Sequence, residues 1–187
     1  MNTNAPSVGL SAGRGFAVFK ALVYGLLLID VGLLWLHGTW REVLEQSGWL
    51  MILAAFELES RGRSGRWLTV LEVAGYVLAL LCWAAYAQVG EWMDFANASL
   101  WLLVVAVIAW DLHRPLHYGG RSWRWRNIGK TGLYVALAGI ALHWGLAGAW
   151  LDAWDALLWL LCFFVIELKI FDALGARLSR VAVASGG

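Results

Sequence analysis

Residues 67–112 read WLTVLEVAGYVLALLCWAAYAQVGEWMDFANASLWLLVVAVIAWDL, two apolar runs that meet at Gly90. Each run is about 20 residues long, and as a helix rising 1.5 Å per residue it matches a hydrocarbon core of roughly 30 Å. Acidic side chains are confined to the ends of the runs, at Glu72, Glu91, Asp94 and Asp111. The stretch predicts a membrane-spanning helical hairpin, with helices over 67–89 and 91–113. Comparable apolar runs occupy 16–37 and 39–60 before it, and 128–147 and 149–171 after it. The expectation is therefore an all-α integral membrane protein of six transmembrane helices forming one membrane domain.

Composition leads to the same class. Of the 187 residues, 61% are hydrophobic and 14% charged, more apolar surface than a soluble domain of this size hides. The polar segment before Phe16 lacks the apolar core of a secretory signal, so the first helix reads as an uncleaved anchor. Cys82 and Cys162 sit inside separate apolar runs and are expected to pack as small hydrophobes.

Charge sets the orientation. Arg14, Lys20, Arg61, Arg63, Arg66, Arg114, Arg121, Arg124, Arg126, Lys130, Lys169, Arg177 and Arg180 all fall on the side of the chain termini, and only Arg41 falls on the other. The positive-inside rule puts both termini in the cytoplasm, in a membrane of the bacterial inner (cytoplasmic) type. The basic, Trp-containing loop before Lys130 suits anionic lipid headgroups, and no nucleic-acid partner is expected.

The hairpin recurs with internal register. Tyr24, Trp40 and Trp49 match Tyr76, Trp92 and Trp101, and these match Tyr134, Trp150 and Trp159, with spacings of 16 and then 9 residues in every copy. Two positions after the first Trp of each copy comes an acid (Glu42, Asp94, Asp152), and three positions further a polar residue (Glu45, Asn97, Asp155). Each even helix closes on an acid followed by Leu: Glu57, Asp111 and Glu167. Three tandem repeats result, at about 16–60, 67–113 and 128–171, for which packing about a pseudo-threefold axis is natural.

Small residues at helical spacing in the odd helices (Ala21, Gly25 and Gly32; Gly75, Ala79 and Cys82; Gly132, Ala136 and Gly139) predict that these helices form the inner layer, because small faces let backbones approach in lipid. Trp49, Trp101 and Trp159 lie too deep for an interfacial belt and read as packing. Trp35, Trp40, Trp92, Trp144 and Trp150 suit one interface, and Trp67, Trp123 and Trp125 the other.

Candidate functional residues follow from the repeat and from departures from it. Glu42, Asp94 and Asp152 suit the positive ends of their helices, Thr39 and Glu42 having capping-box spacing, or form an external ring of carboxylates for cations. Glu57, Asp111 and Glu167 pair with interfacial bases or form an inner cation or proton site. Asp30 stands where the other copies carry Cys82 and Ile140, and His143 where they carry Leu33 and Ala85. An ionisable residue inside a span is a functional hypothesis by default. Asp30 and His37, seven residues apart, share a helix face, so Asp30, His37 and His143 are expected to converge as a protonatable or cation-binding site. Two alternatives stand beside this. Asp30 hydrogen-bonds His143, Tyr86 or Gln88 and fixes helix packing, or His37 and His143 ligate a haem in a redox subunit. His113 and His117, around Pro115, offer a metal site only with further ligands.

No phosphate loop, nucleophile elbow, zinc-protease helix or paired-Cys ligand set occurs, so the chain reads as a non-enzyme without a cofactor. Prolines are confined to Pro6 and Pro115, which leaves the spans unbroken. The expected function is a small transport or channel protein for a cation or protons, alone or as a homo-oligomer. The alternative is a non-catalytic structural, assembly or anchoring subunit of a larger membrane complex.

Overall fold

Among the described residues there are six helices: α1 Gly9–His37, α2 Trp40–Ser60, α3 Arg66–Val89, α4 Trp92–His113, α5 Arg121–Ala147 and α6 Trp150–Ser185. The computed structural model describes residues 9–113 and 121–185, with side chains described for 15–111 and 121–167. His117 and the side chains of His113, Arg14, Lys169, Arg177 and Arg180, together with Arg114, lie outside the described residues. Among the described residues there is no strand. Helix ends fall close to the boundaries read from the sequence, except that α1 begins at Gly9, α5 begins at Arg121 and α6 runs on to Ser185.

Three helices are long and apolar enough to cross a membrane, over Gly15–His37, Arg66–Val89 and Trp92–Asp111. The other three reach that length but carry more polar side chains within it, among them Glu45 and Gln46 in α2, Lys130 and His143 in α5, and Asp152 and Asp155 in α6.

Local chemistry explains the tight ends. Thr39 caps α2 with a full capping box: its hydroxyl accepts from the Glu42 backbone N–H, and the Glu42 carboxylate accepts the Thr39 N–H at 3.0 Å. Gly90 and Gly148 turn the other two hairpins with φ of +80° and +84°, a region where a side chain is strained. Residues 38–39, 90–91 and 148–149 thus mark one end of the bundle, the turn end; the opposite end is the open end.

Each helix packs on the next in sequence, and α6 closes the ring against α1. The tightest pair is α2 with α3, which belong to different hairpins, whereas α1 touches α2 least among neighbours. Glycine makes the α2–α3 approach possible. A Cβ on Gly75 would meet the Gly48 carbonyl oxygen at 2.6 Å and Ile52 Cγ1 at 2.7 Å. Gly75→Val is expected to cost about 1–3 kcal/mol through overpacking, read as a lowered thermal midpoint in detergent; an unchanged midpoint would show that α2 and α3 can separate freely.

The layering reverses the expectation. The even helices supply the centre, through Trp49, Trp101, Trp159, Cys162 and Phe163, all buried. On α1 and α5 the small-residue stripes face outward: a Cβ at Gly25, Gly32, Gly132 or Gly139 would meet nothing within 4 Å. Only α3 uses its stripe inward, burying Gly75, Ala79 and Cys82. The reason is volume. A closed ring of six helices leaves a central space that small side chains do not fill, and interiors pack at crystal-like density, so the bulky residues of the even helices go there.

Both cysteines are buried and free. Trp35, Trp40, Trp92 and Trp150 are exposed around the turn end, and Trp67 and Trp125 towards the open end.

Candidate functional site

Polar side chains inside the ring form two tiers separated by the tryptophans. At the turn end, Glu42, Asp94 and Asp152 come together as their equivalent first-turn positions require. With Leu34, Asn97, Trp144 and Asp155 they line a cleft of about 30 Å³, room for about one water molecule. Glu42 also serves the capping box, and the helix-terminal position suits all three acids.

Asp155 connects the cleft to Asp30. Gln46 Nε2 donates to Asp30 Oδ2 at 2.9 Å and to Asp155 Oδ1 at 2.8 Å, and the two carboxyls lie within hydrogen-bonding reach of each other. Asp30 is completely buried, and its Oδ1 receives no N–H or O–H from the described residues. The other side of Gln46 is fixed as well: Trp159 Nε1 donates to its Oε1 at 2.6 Å. Beside this group Glu45 accepts from the Tyr86 hydroxyl at 2.8 Å and from Trp49 Nε1 at 3.3 Å. Asn97, at the repeat position shared by Glu45 and Asp155, keeps its Oδ1 buried without a donor among the described residues.

Below this tier the rings interlock. Trp49 and Trp159 have centroids 6.2 Å apart, Trp101 stacks on Phe163 at 4.7 Å, and Trp159 lies 6.2 Å from Phe163. Trp49, Trp159 and Phe163 then line a second cavity, of about 340 Å³, that extends towards the open end past Phe56 and Tyr76 to Glu59 and Glu72. The indoles that donate to the upper tier are therefore the ones that wall the lower cavity.

The acids expected at the open end are neutralised. Glu57 accepts from Lys20 Nζ at 2.6 Å, Arg61 Nε at 3.0 Å and the Tyr24 hydroxyl at 3.4 Å. Glu167 repeats the pattern with Lys130 Nζ at 3.0 Å and the Tyr134 hydroxyl at 3.2 Å. Asp111 pairs with Arg126 Nε at 2.8 Å and Lys130 Nζ at 3.4 Å. In the middle hairpin the position held by Lys20 and Lys130 is Glu72, so the ion pair of the flanking hairpins has no counterpart there. Glu59 and Glu72 have no ion pair among the described residues. Arg41, the one base at the turn end, is held by both carboxylate oxygens of Glu91 from the next hairpin.

Neither a family model, a curated protein nor a solved structure matches the chain.

The histidines do not join Asp30. His37 and His143 are exposed, and neither lines the cleft or the cavity. His143 keeps the stripe of Gly132, Ala136 and Gly139 that its spacing demands, but that stripe faces outward. His37 is the last residue of α1, one turn past Leu34, the last buried residue of that helix. The expected convergence fails for these reasons, and Asp30 takes Gln46 and Asp155 as partners instead of His143, Tyr86 or Gln88. Two exposed histidines that line neither space do not fit a haem between them. Among the described residues no group of three or more His, Cys, Asp or Glu is arranged to hold a metal ion.

Sequence reasoning missed Gln46, Asp155 and Glu72 as central residues. Gln46 and Glu72 each carried a signal: Gln46 stands where the other copies have Ala98 and Ala156, and Glu72 reverses the charge of its two equivalents.

Proposed function

We propose that the chain spans a cytoplasmic-type membrane six times, as three hairpins about a pseudo-threefold axis with both termini inside, and that it moves protons between the turn-end cleft and the open-end cavity. One observation carries this reading: acidic groups lie on both sides of an aromatic partition, and the partition's own indole N–H groups are tied into the upper tier, Trp49 donating to Glu45 and Trp159 to the Gln46 amide that holds Asp30 and Asp155. Asp30 and Asp155 meet at one shared donor, Gln46 Nε2, at 2.9 and 2.8 Å, which sets two carboxyls side by side as acceptor and donor for a proton. The donors at hand suit a proton better than a metal ion, since the shared partner is an amide N–H rather than a further set of oxygen ligands. A proton relay needs no wide bore; because an indole N–H donates but cannot accept, the step past the aromatic centre falls to water rather than to the tryptophans. The repeated ion pairs, Lys20 with Glu57 and Lys130 with Glu167, support the triplication, and the exposed tryptophans around both ends support six crossings.

A second reading rests on the outward stripes of α1 and α5. Open glycine faces on lipid-exposed helices suit close packing against another helix, as expected of a homo-oligomer or of a structural subunit in a larger membrane complex.

One experiment separates the two. Purified protein in liposomes with an internal pH-sensitive dye is expected to collapse an imposed proton gradient faster than protein-free liposomes when potassium and valinomycin balance the charge. Equal rates would end the transport reading and leave the subunit reading in possession.

A further inference from the structure

The open-end cavity also has the composition of a ligand site. Its volume, about 340 Å³, falls in the range of small-molecule pockets. Its walls are aromatic, from Trp49, Phe56, Tyr76, Trp159 and Phe163, and the polar groups at its mouth are two carboxylates, Glu59 and Glu72. Ring faces attract cations, most strongly when the cation sheds water, and unpaired carboxylates add the same preference. A compact metal ion is poorly served by apolar walls, and an anion is repelled. We propose that this cavity binds a lipophilic organic cation, of the quaternary ammonium or phosphonium kind, with Glu72 as its principal charge partner.

The position of Glu72 makes the assignment specific. In the first and third hairpins the equivalent Lys20 and Lys130 reach across to Glu57 and Glu167, closing the charge account within the helix pair. In the second hairpin Asp111 is met from α5 instead, by Arg126 and Lys130, which leaves Glu72 beside the cavity. One copy of a repeated device thus has an opened acidic site while two retain the closed form. The hollow beside Tyr134 and Glu167 contains Lys130 and the one beside Tyr24 and Glu57 contains Arg61, so neither has the uncompensated acidity of the central cavity.

The proposal names what the open-end cavity takes. It rests on the transport reading for a route onward, and for binding itself it needs only the cavity. The test is equilibrium dialysis of tetraphenylphosphonium against the whole protein in a neutral detergent, with empty micelles subtracted and tetraphenylborate as the anion of the same shape. Saturable binding of the phosphonium but not the borate is expected. Glu72→Gln is expected to weaken it by about tenfold or more, the order of one lost partly desolvated charge contact. Glu72→Lys installs the residue that the other two hairpins carry and is expected to abolish it, whereas Asp30→Asn leaves it unchanged. Equal uptake of phosphonium and borate would mean a cavity for lipid tails, and undiminished phosphonium binding in both Glu72 variants would remove the carboxylate; either result overturns the proposal. The two readings fail separately: phosphonium binding without a proton leak in liposomes keeps the site and ends the relay, and the converse keeps the relay and ends the site.

Discussion

Asp30→Asn is expected to reduce proton flux in liposomes to near the protein-free leak while leaving the thermal midpoint in detergent unchanged or slightly raised. Asparagine is close to isosteric with aspartate. Its carbonyl still accepts from Gln46 Nε2, and its amide donates to the Asp155 carboxyl that faces it. Packing is thereby preserved, because Gln46 keeps its acceptor and Asp155 gains a donor. What disappears is a group that can take up and release a proton. If Asp30 serves packing alone, the same variant changes stability or nothing at all, so undiminished flux from well-folded Asp30→Asn protein would refute its role in the relay. Asp30→Glu, which restores the carboxyl on a longer arm, is expected to recover part of the flux.

Lys130→Met is expected to be the most destabilising single change among the ion pairs, at about 3–5 kcal/mol. Lys130 serves two acids at once, Glu167 at 3.0 Å and Asp111 at 3.4 Å, and all three side chains are nearly buried, with exposures of 10%, 13% and 7%. Without it Asp111 keeps Arg126, but Glu167 keeps only the Tyr134 hydroxyl among the described residues. An uncompensated buried charge is costlier than the pair it came from is valuable. Lys20→Met provides the comparison, because Glu57 retains Arg61 at 3.0 Å. Its midpoint is expected to fall less. Equal losses in the two variants would mean that Glu167 finds another partner, and the double change Lys130→Met with Glu167→Leu is expected to recover much of the loss.

Much of the architecture was legible because periodic apolar length and turn chemistry are local. The Gly90 and Gly148 turns, the Thr39 cap and the boundaries of α2, α3 and α4 follow from residues close in sequence. The shared register of Tyr24, Tyr76 and Tyr134 was legible for the same reason, and the structure gives the first and third of these the same lysine and glutamate neighbours. What sequence alone misjudged is global. Gly25, Gly32, Gly132 and Gly139 permit close packing without requiring it, and their helices were placed inside on permission alone. The deciding quantity was the space at the centre of a closed ring, which the spacing of small residues does not contain. The site divides in the same way. Glu42, Asp94 and Asp152 gather because each lies in the first turn of a helix that starts at the same end of the ring. Asp30 was found because a charge inside an apolar run stands out, but its partner Asp155 is 125 positions away, and no spacing rule connects the two. Spacing joins His37 to the face of Asp30 and His143 to the small-residue stripe, but His37 lies past the last buried turn of α1 and the stripe of α5 is rotated outward, neither of which spacing contains.

The mismatch between covalent and packed pairs has a consequence for biogenesis. α1 and α2 are joined by the shortest of turns yet touch least, whereas α2 lies backbone to backbone on α3 through Gly48 and Gly75. A ribosome delivering this chain therefore releases a first hairpin held by a few polar contacts, Lys20 and Tyr24 on Glu57 and Gln46 on Asp30, and the earliest close backbone packing waits until the third helix has emerged. The ring is completed only when α6, the last to be synthesised, arrives to meet α1, the first. Until then the Asp30 carboxyl lacks Asp155 and Trp159 is not yet in place, so through nearly the whole of synthesis the central acid has Gln46 alone of the partners it meets in the finished ring.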